Sequence, residues 1–133
     1  MTGEDLARAA EALVGVPFRL HGRDPASGLD CIGLLECALR SVGFEVRFPN
    51  RYSLRTSTWG GLETIAGTIG FSAASGPVLA GDICLLRPCA TQMHFAIAGL
   101  KPGTQVEAHA GLRRVVIAPL ANPDLQIRRW RMT

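Results

Sequence analysis

Gly28-Leu29-Asp30-Cys31-Ile32-Gly33-Leu34-Leu35-Glu36-Cys37-Ala38-Leu39-Arg40-Ser41-Val42-Gly43 is the stretch on which the fold turns. Starting at Cys31, the apolar residues Leu34, Leu35, Ala38, Leu39 and Val42 recur at the spacing of one α-helical face, and Gly43 supplies a C-terminal stop. Ahead of it, the segment from His21 to Asp30 is dense in turn residues: Gly22, Asp24-Pro25, Ser27-Gly28 and Asp30. A loop therefore delivers the chain into a helix whose apolar stripe is headed by a cysteine. The unpaired amides and the positive dipole end of a helix N-terminus stabilise a thiolate, which makes Cys31 a candidate nucleophile. Most cysteines on an apolar stripe are small core residues, so chemistry at Cys31 requires a base beside it.

Working outward, Leu6, Ala9, Ala10 and Leu13 repeat at helical spacing between Glu4 and Leu13, and Gly15 with Pro17 ends that pattern. A shorter helix is expected around Leu62 to Ala66, inside a section rich in Gly and Ser from Arg51 to Gly76. After Pro77 the texture changes to short apolar runs, Ile83 to Leu86, Met93 to Ala98, Gln105 to Ala110, Val115 to Ala118 and Leu125 to Met132, separated by Pro, Gly and Asn. Helices first and strands afterwards, with no alternation and no internal repeat, imply an α+β fold: N-terminal helices packed on one side of an antiparallel sheet of about five strands. The 133 residues are expected to form one domain, 1–133, of ordinary size.

Fourteen basic and eleven acidic residues leave a net charge of +3, too small to argue for nucleic acid and compatible with weak attraction to anionic polymers. The N-terminal Met-Thr-Gly-Glu-Asp-Leu-Ala-Arg mixes charges of both signs and lacks an apolar core of signal-peptide length, and no apolar span is long enough to cross a membrane. Cytoplasmic synthesis without a signal peptide, and no membrane insertion, are the expectations. The four cysteines, Cys31, Cys37, Cys84 and Cys89, are accordingly expected as thiols.

A base is available in Met93-His94-Phe95-Ala96-Ile97-Ala98, where strand alternation sets His94 apart from Met93, Phe95 and Ile97 and gives it the small neighbours Ala96 and Ala98. A tight turn at Lys101-Pro102-Gly103-Thr104 would place Ala96 opposite His109 and His94 opposite Gly111, making the two histidines diagonal neighbours on one face. In that arrangement His109 can accept the Nδ1 proton of His94 and orient it, as the third member of a catalytic triad does.

Gly15-Val16-Pro17-Phe18 with Gly22, the Asp30-Cys31-Ile32-Gly33-Leu34 core, Ala80-Gly81-Asp82, His94 and Glu107-Ala108-His109-Ala110 together resemble the NlpC-type cysteine peptidases of bacterial cell walls. The resemblance implies a papain-like fold with Cys31 as nucleophile, His94 as general base and His109 as orienting residue. It also implies that the Cys31 amide helps hold the oxyanion, with Phe18, Asp30 and Ile32 lining that part of the pocket, and it calls for no cofactor and no metal. The implied substrate is peptidoglycan, cut in its stem peptides between a γ-linked D-glutamyl residue and a diamino acid through a thioester. The short form with His21-Gly22-Arg23-Asp24-Pro25 is similar to wall peptidases of tailed phages and gene transfer agents, which implies phage-like tail proteins as partners and carriage in such a particle. Two departures stand out. Phe18 replaces a frequent Tyr, removing a hydroxyl whose loss can cost about a hundredfold, and Ile32 replaces the Ser that commonly follows the nucleophile.

Other readings compete. Cys84, Cys89 and His94 could hold zinc, but their spacing lacks the short Cys-x-x-Cys knuckle, and Cys84 and Cys37 read better as core thiols. Arg113, Arg114, Arg128, Arg129 and Arg131 could form a basic, solvated sheet edge. The chain could also be an inactive tail or wall-binding module, or another thiol acyltransferase or amidase using the same three residues.

Overall fold

The computed structural model describes residues 2–48, 66–89 and 92–132. Helix α1 (Gly3–Glu11) starts at a capping box in which Thr2 and Asp5 exchange side-chain and backbone hydrogen bonds. A short hairpin, β1 (Arg23–Asp24) and β2 (Gly28–Leu29), leads into helix α2 (Cys31–Ser41). The sheet then follows: β3 (Phe71–Ala73), β4 (Ile83–Cys89), β5 (Gln92–Ala98), β6 (Thr104–His109), β7 (Arg114–Pro119) and β8 (Gln126–Met132). Its order is β3-β8-β4-β5-β6-β7, antiparallel throughout.

The sheet thus has six strands rather than about five. The additional one, β3, is three residues long at a sheet edge and carries a single buried side chain, Phe71, too little to leave a period-two signal. Of the helix expected around Leu62 to Ala66, only Ala66 lies within the described residues, and there the chain is helical. Among the described residues no helix is long and apolar enough to cross a membrane.

The core forms where α1 and α2 meet the sheet. Leu6, Ala10, Leu34, Leu35, Ala38 and Leu39 pack with Ile83, Leu85, Phe95, Ile97, Val106, Val115 and Trp130. Each large aliphatic side chain removed from water there contributes about 1.5–3 kcal/mol, so α2, nearly all of whose residues are buried, is fixed by packing more than by propensity. A second, smaller cluster joins Cys84, Leu86 and Ala96, with Ala121 against it.

Two devices hold the start of α2 in place. The segment from Gly15 to Arg19 is laced between edge strand β7 and β2: Val115 N–H donates to the Val16 carbonyl (2.8 Å), Phe18 N–H to the Arg113 carbonyl (2.9 Å) and Leu29 N–H to the Pro17 carbonyl (2.9 Å). The second is steric. A Cβ on Gly33, in the first turn of α2, would collide with the Gly22 carbonyl, and one on Gly22 would collide with the Gly28 carbonyl. The glycine two residues after Cys31 is therefore required by the close approach of the preceding loop to the helix.

Of the β8 arginines, Arg128 is exposed, but Arg129 and Arg131 do not form a solvated edge. That strand lies inside the sheet between β3 and β4, Arg129 is buried, and Arg131 grips Asp82 with two hydrogen bonds of 2.8 Å.

Candidate active site

Cys31 is the first residue of α2 and is only 2% exposed. Asp30, fully buried, caps the helix: one carboxylate oxygen accepts from Gly33 N–H (2.9 Å), the other from His21 N–H (2.8 Å). His21 takes the left-handed backbone region (φ 60°) to make this contact. Because the cap serves the third amide of the helix, the amides of Cys31 and Ile32 remain with no intrahelical acceptor. Ile32 is buried in the core, and the half-buried Phe18 packs against that core at the bridge to Leu29.

His94 sits near the start of β5, beside the point where the β4–β5 register becomes irregular between Leu86 and Cys89. Its imidazole interacts with the Cys31 thiol and with the Glu107 carboxylate. Nε2 lies 3.6 Å from Glu107 Oε1, an ion-pair separation just too long for a hydrogen bond, and it is buried with no other polar partner among the described residues. Burial opposes charging of the ring, but its interaction with Cys31 and the negative charge of Glu107 outweigh it and lift its pKa to about 9. The same contact is the main influence holding the Glu107 carboxyl below its ordinary range; burial opposes it, and Gln105 and His109 assist.

The residue facing His94 is therefore Glu107, where the sequence pattern had pointed to His109. The hairpin does not close on two residues: the chain reverses over residues 99–103, with Gly99 N–H donating to the Thr104 carbonyl (2.9 Å) and the Thr104 hydroxyl to the Lys101 carbonyl (2.6 Å). Ala98 consequently pairs with Gln105 and Ile97 with Val106, a register two residues from the expected one. A shift of two preserves the face of every side chain and changes only who is opposite whom. Carried along the strands, this register sets His109 opposite His94 and Glu107 diagonal to it, and the contact goes to the diagonal residue. His109 Nδ1 instead accepts from Leu112 N–H (3.0 Å), and Gly111 packs so closely on its ring that a Cβ there would crowd it. His109 thus organises the β6–β7 turn. Glu107 did carry a signal: Gln105, Glu107 and His109 are the polar alternates of a strand whose other face is Val106 and Ala108.

The remaining cysteines lie apart from this constellation. Cys84 is a buried free thiol whose pKa is pushed up to about 12, chiefly by burial and also by Asp82 nearby. Cys37 is a half-buried thiol donating to the Arg23 carbonyl (3.4 Å), and Cys89 is exposed. Among the described residues no group of three or more His, Cys, Asp or Glu is arranged to hold a metal ion.

No family model matches the sequence, and neither does any curated protein. Solved structures do match. The NlpC/p60 domain of the peptidoglycan hydrolase SagA superposes with a TM-score of 0.68 at 20% identity, covering 99% of this chain and 100% of that one. The peptidoglycan hydrolase RipB from Mycobacterium tuberculosis gives 0.62 at 22% identity, covering 97% of this chain and 63% of its own. NlpC1 from Trichomonas vaginalis gives 0.66 at 18% identity, over 98% and 43%. Likeness at this level of identity is likeness of architecture, and the α+β fold of this chain is the NlpC/p60 fold.

Proposed function

We propose that the protein is a cysteine peptidase that hydrolyses peptidoglycan stem peptides, with Cys31 as nucleophile, His94 as general base and Glu107 as the residue that orients His94. The observation that carries this reading is the line from the thiol at the head of α2, through an imidazole raised to about 9, to a carboxylate 3.6 Å beyond it. A histidine that holds its proton above neutral pH and touches a thiol suits formation of a thiolate–imidazolium pair. The NlpC/p60 fold supports the substrate class, since SagA and RipB are peptidoglycan hydrolases.

In the proposed reaction the Sγ proton has already passed to Nδ1 of His94, whose Nε2 is turned to Glu107, and the thiolate attacks the scissile carbonyl carbon. The Cys31 amide donates to the resulting oxyanion. Collapse breaks the C–N bond, the departing amine takes the proton from His94, and the acyl group remains as a thioester. Water deprotonated by His94 then attacks the thioester and frees Cys31. The γ-D-glutamyl-diamino acid linkage is the proposed bond.

The test is release of soluble peptides from purified peptidoglycan, read by mass spectrometry, for the wild type, Cys31→Ala and His94→Ala at equal concentration. Cleavage by the wild type alone, with the product masses naming the bond, is the expected result. Absence of cleavage by all three folded proteins would overturn the proposal in favour of a binding or structural module.

A further inference from the structure

The Glu107 carboxylate could rotate away from His94, and what prevents this is on the neighbouring residues of β6. Gln105 is 3% exposed and lies on the same strand face as Glu107. Its Nε2 donates to Glu107 Oε2, while its Oε1 accepts from Ala121 N–H (3.0 Å). A backbone N–H can only donate, so this contact fixes which end of the carboxamide is oxygen and turns the NH₂ towards Glu107. Ala121 is itself anchored: it packs on Cys84, Leu86 and Ala96, and its neighbour Leu120 donates to the Gly103 carbonyl (2.8 Å). With Oε2 engaged, Oε1 is the oxygen left facing His94 Nε2.

We propose that Gln105 is a positioning residue of this site: its carboxamide, oriented by the Ala121 backbone, holds the Glu107 carboxylate in line with His94. The proposal rests on the assignment of Cys31 and His94 above for its catalytic consequence, but not for its physical content. The titratable groups around Glu107 are His94 from β5, with the Cys31 thiol of α2 beyond it, and His109 from the same strand. Removing the Gln105 donor loosens one oxygen of Glu107, weakens its hold on the imidazolium and lets His94 lose its proton at lower pH.

The experiment follows the histidine ring signals of the full-length protein by NMR against pH, identifying His94 by the signal lost in His94→Ala. Gln105→Met, close in shape and lacking the donor, should lower the His94 midpoint by about half a pH unit or more. Gln105→Asn, which withdraws the amide by one methylene, should lower it in the same direction. In a Glu107→Gln background, Gln105→Met should produce no further shift, because the two residues act in series. With a cleavable wall substrate, kcat should fall and the basic limb of the pH profile should move with the His94 midpoint, leaving KM unchanged. An unchanged midpoint in either folded variant, or an equal shift in the Glu107→Gln background, overturns the proposal. Loss of folding in both variants would make Gln105 a purely structural residue and overturn it equally. A shifted midpoint without any wall cleavage would leave the positioning role standing and remove the peptidase reading alone.

Discussion

Two carboxylates on this sheet face opposite fates. Asp82, just before β4, is fully buried and held on both oxygens: Arg131 binds each of them at 2.8 Å, Leu79 N–H donates to Oδ2 (3.0 Å), and Arg129 Nε lies 3.4 Å away. Arg129 also donates to the Gly76 carbonyl (2.6 Å) and Arg131 to the Pro77 carbonyl (3.1 Å), so the cluster staples residues 76–82 to β8. Glu107 has one oxygen satisfied by Gln105 and the other facing an imidazole that is itself tied to a thiol. A buried carboxylate with both oxygens held by a guanidinium is a rivet, and breaking it costs stability. One left with a single unsaturated contact to a titratable ring can respond when that ring gains or loses a proton.

The largest effect should come from Cys31→Ala. Wall cleavage is expected to fall about 10⁴-fold or more, at the level of residual catalysis seen when a nucleophile is removed, with the urea midpoint little changed. Glu107→Gln should follow at roughly 10²–10⁴-fold in kcat, because an amide can donate to Nε2 and so favour the tautomer that blocks proton transfer from the thiol. Its stability above pH 9, where the His94 proton is lost in both proteins, should stay near that of the wild type. Asp82→Asn should invert that pattern. Leaving Arg129 and Arg131 without their counter-charge should cost about 3 kcal/mol in urea unfolding, while cleavage per folded molecule holds. An Asp82→Asn protein that folds normally and does not cleave would erase the distinction between the two carboxylates.

A smaller effect is the pH dependence. His94 has its folded pKa near 9, above the ordinary value of 6.5 given for it, so folding binds its proton more tightly. Its contribution, an upper bound of about 3 kcal/mol, is complete below pH 6.5 and is lost as the pH rises through about 9. Urea unfolding at pH 6 and pH 9.5 should show this decline in the wild type and a shallower one in His94→Ala. The smallest expected change is in His109→Ala, which removes the acceptor for Leu112 N–H and should cost about 1 kcal/mol with a loss of cleavage well below that of Glu107→Gln. If His109→Ala abolishes cleavage and Glu107→Gln spares it, the orienting residue is His109.

The local signals proved legible for local reasons. A stripe of apolar residues after Cys31, turn residues before it and period-two runs after Pro77 are properties of neighbouring positions, and α1, α2 and five strands of the sheet follow from them. The placement of β8 between β3 and β4 was not legible, because pairing partners far apart in sequence leave no mark on either strand. Two of its arginines, Arg129 and Arg131, read as part of a solvated edge, proved to be the partners of a buried aspartate.

Residue types and alternation, with a hairpin between the two strands, determined that a thiol heads a helix and that His94 and His109 share a sheet face. Tertiary structure decided which group stands beside His94. A hairpin loop longer than two residues moves the register by two, which leaves every face unchanged and brings Glu107 to the position diagonal to His94, while the β6–β7 turn holds the His109 ring on Leu112 N–H. Only packing against Ala121 then turns Gln105 so that Glu107 points at the ring. Face is set by parity along one strand, whereas a partner is set by loop length and by contacts between segments that the sequence does not bring together.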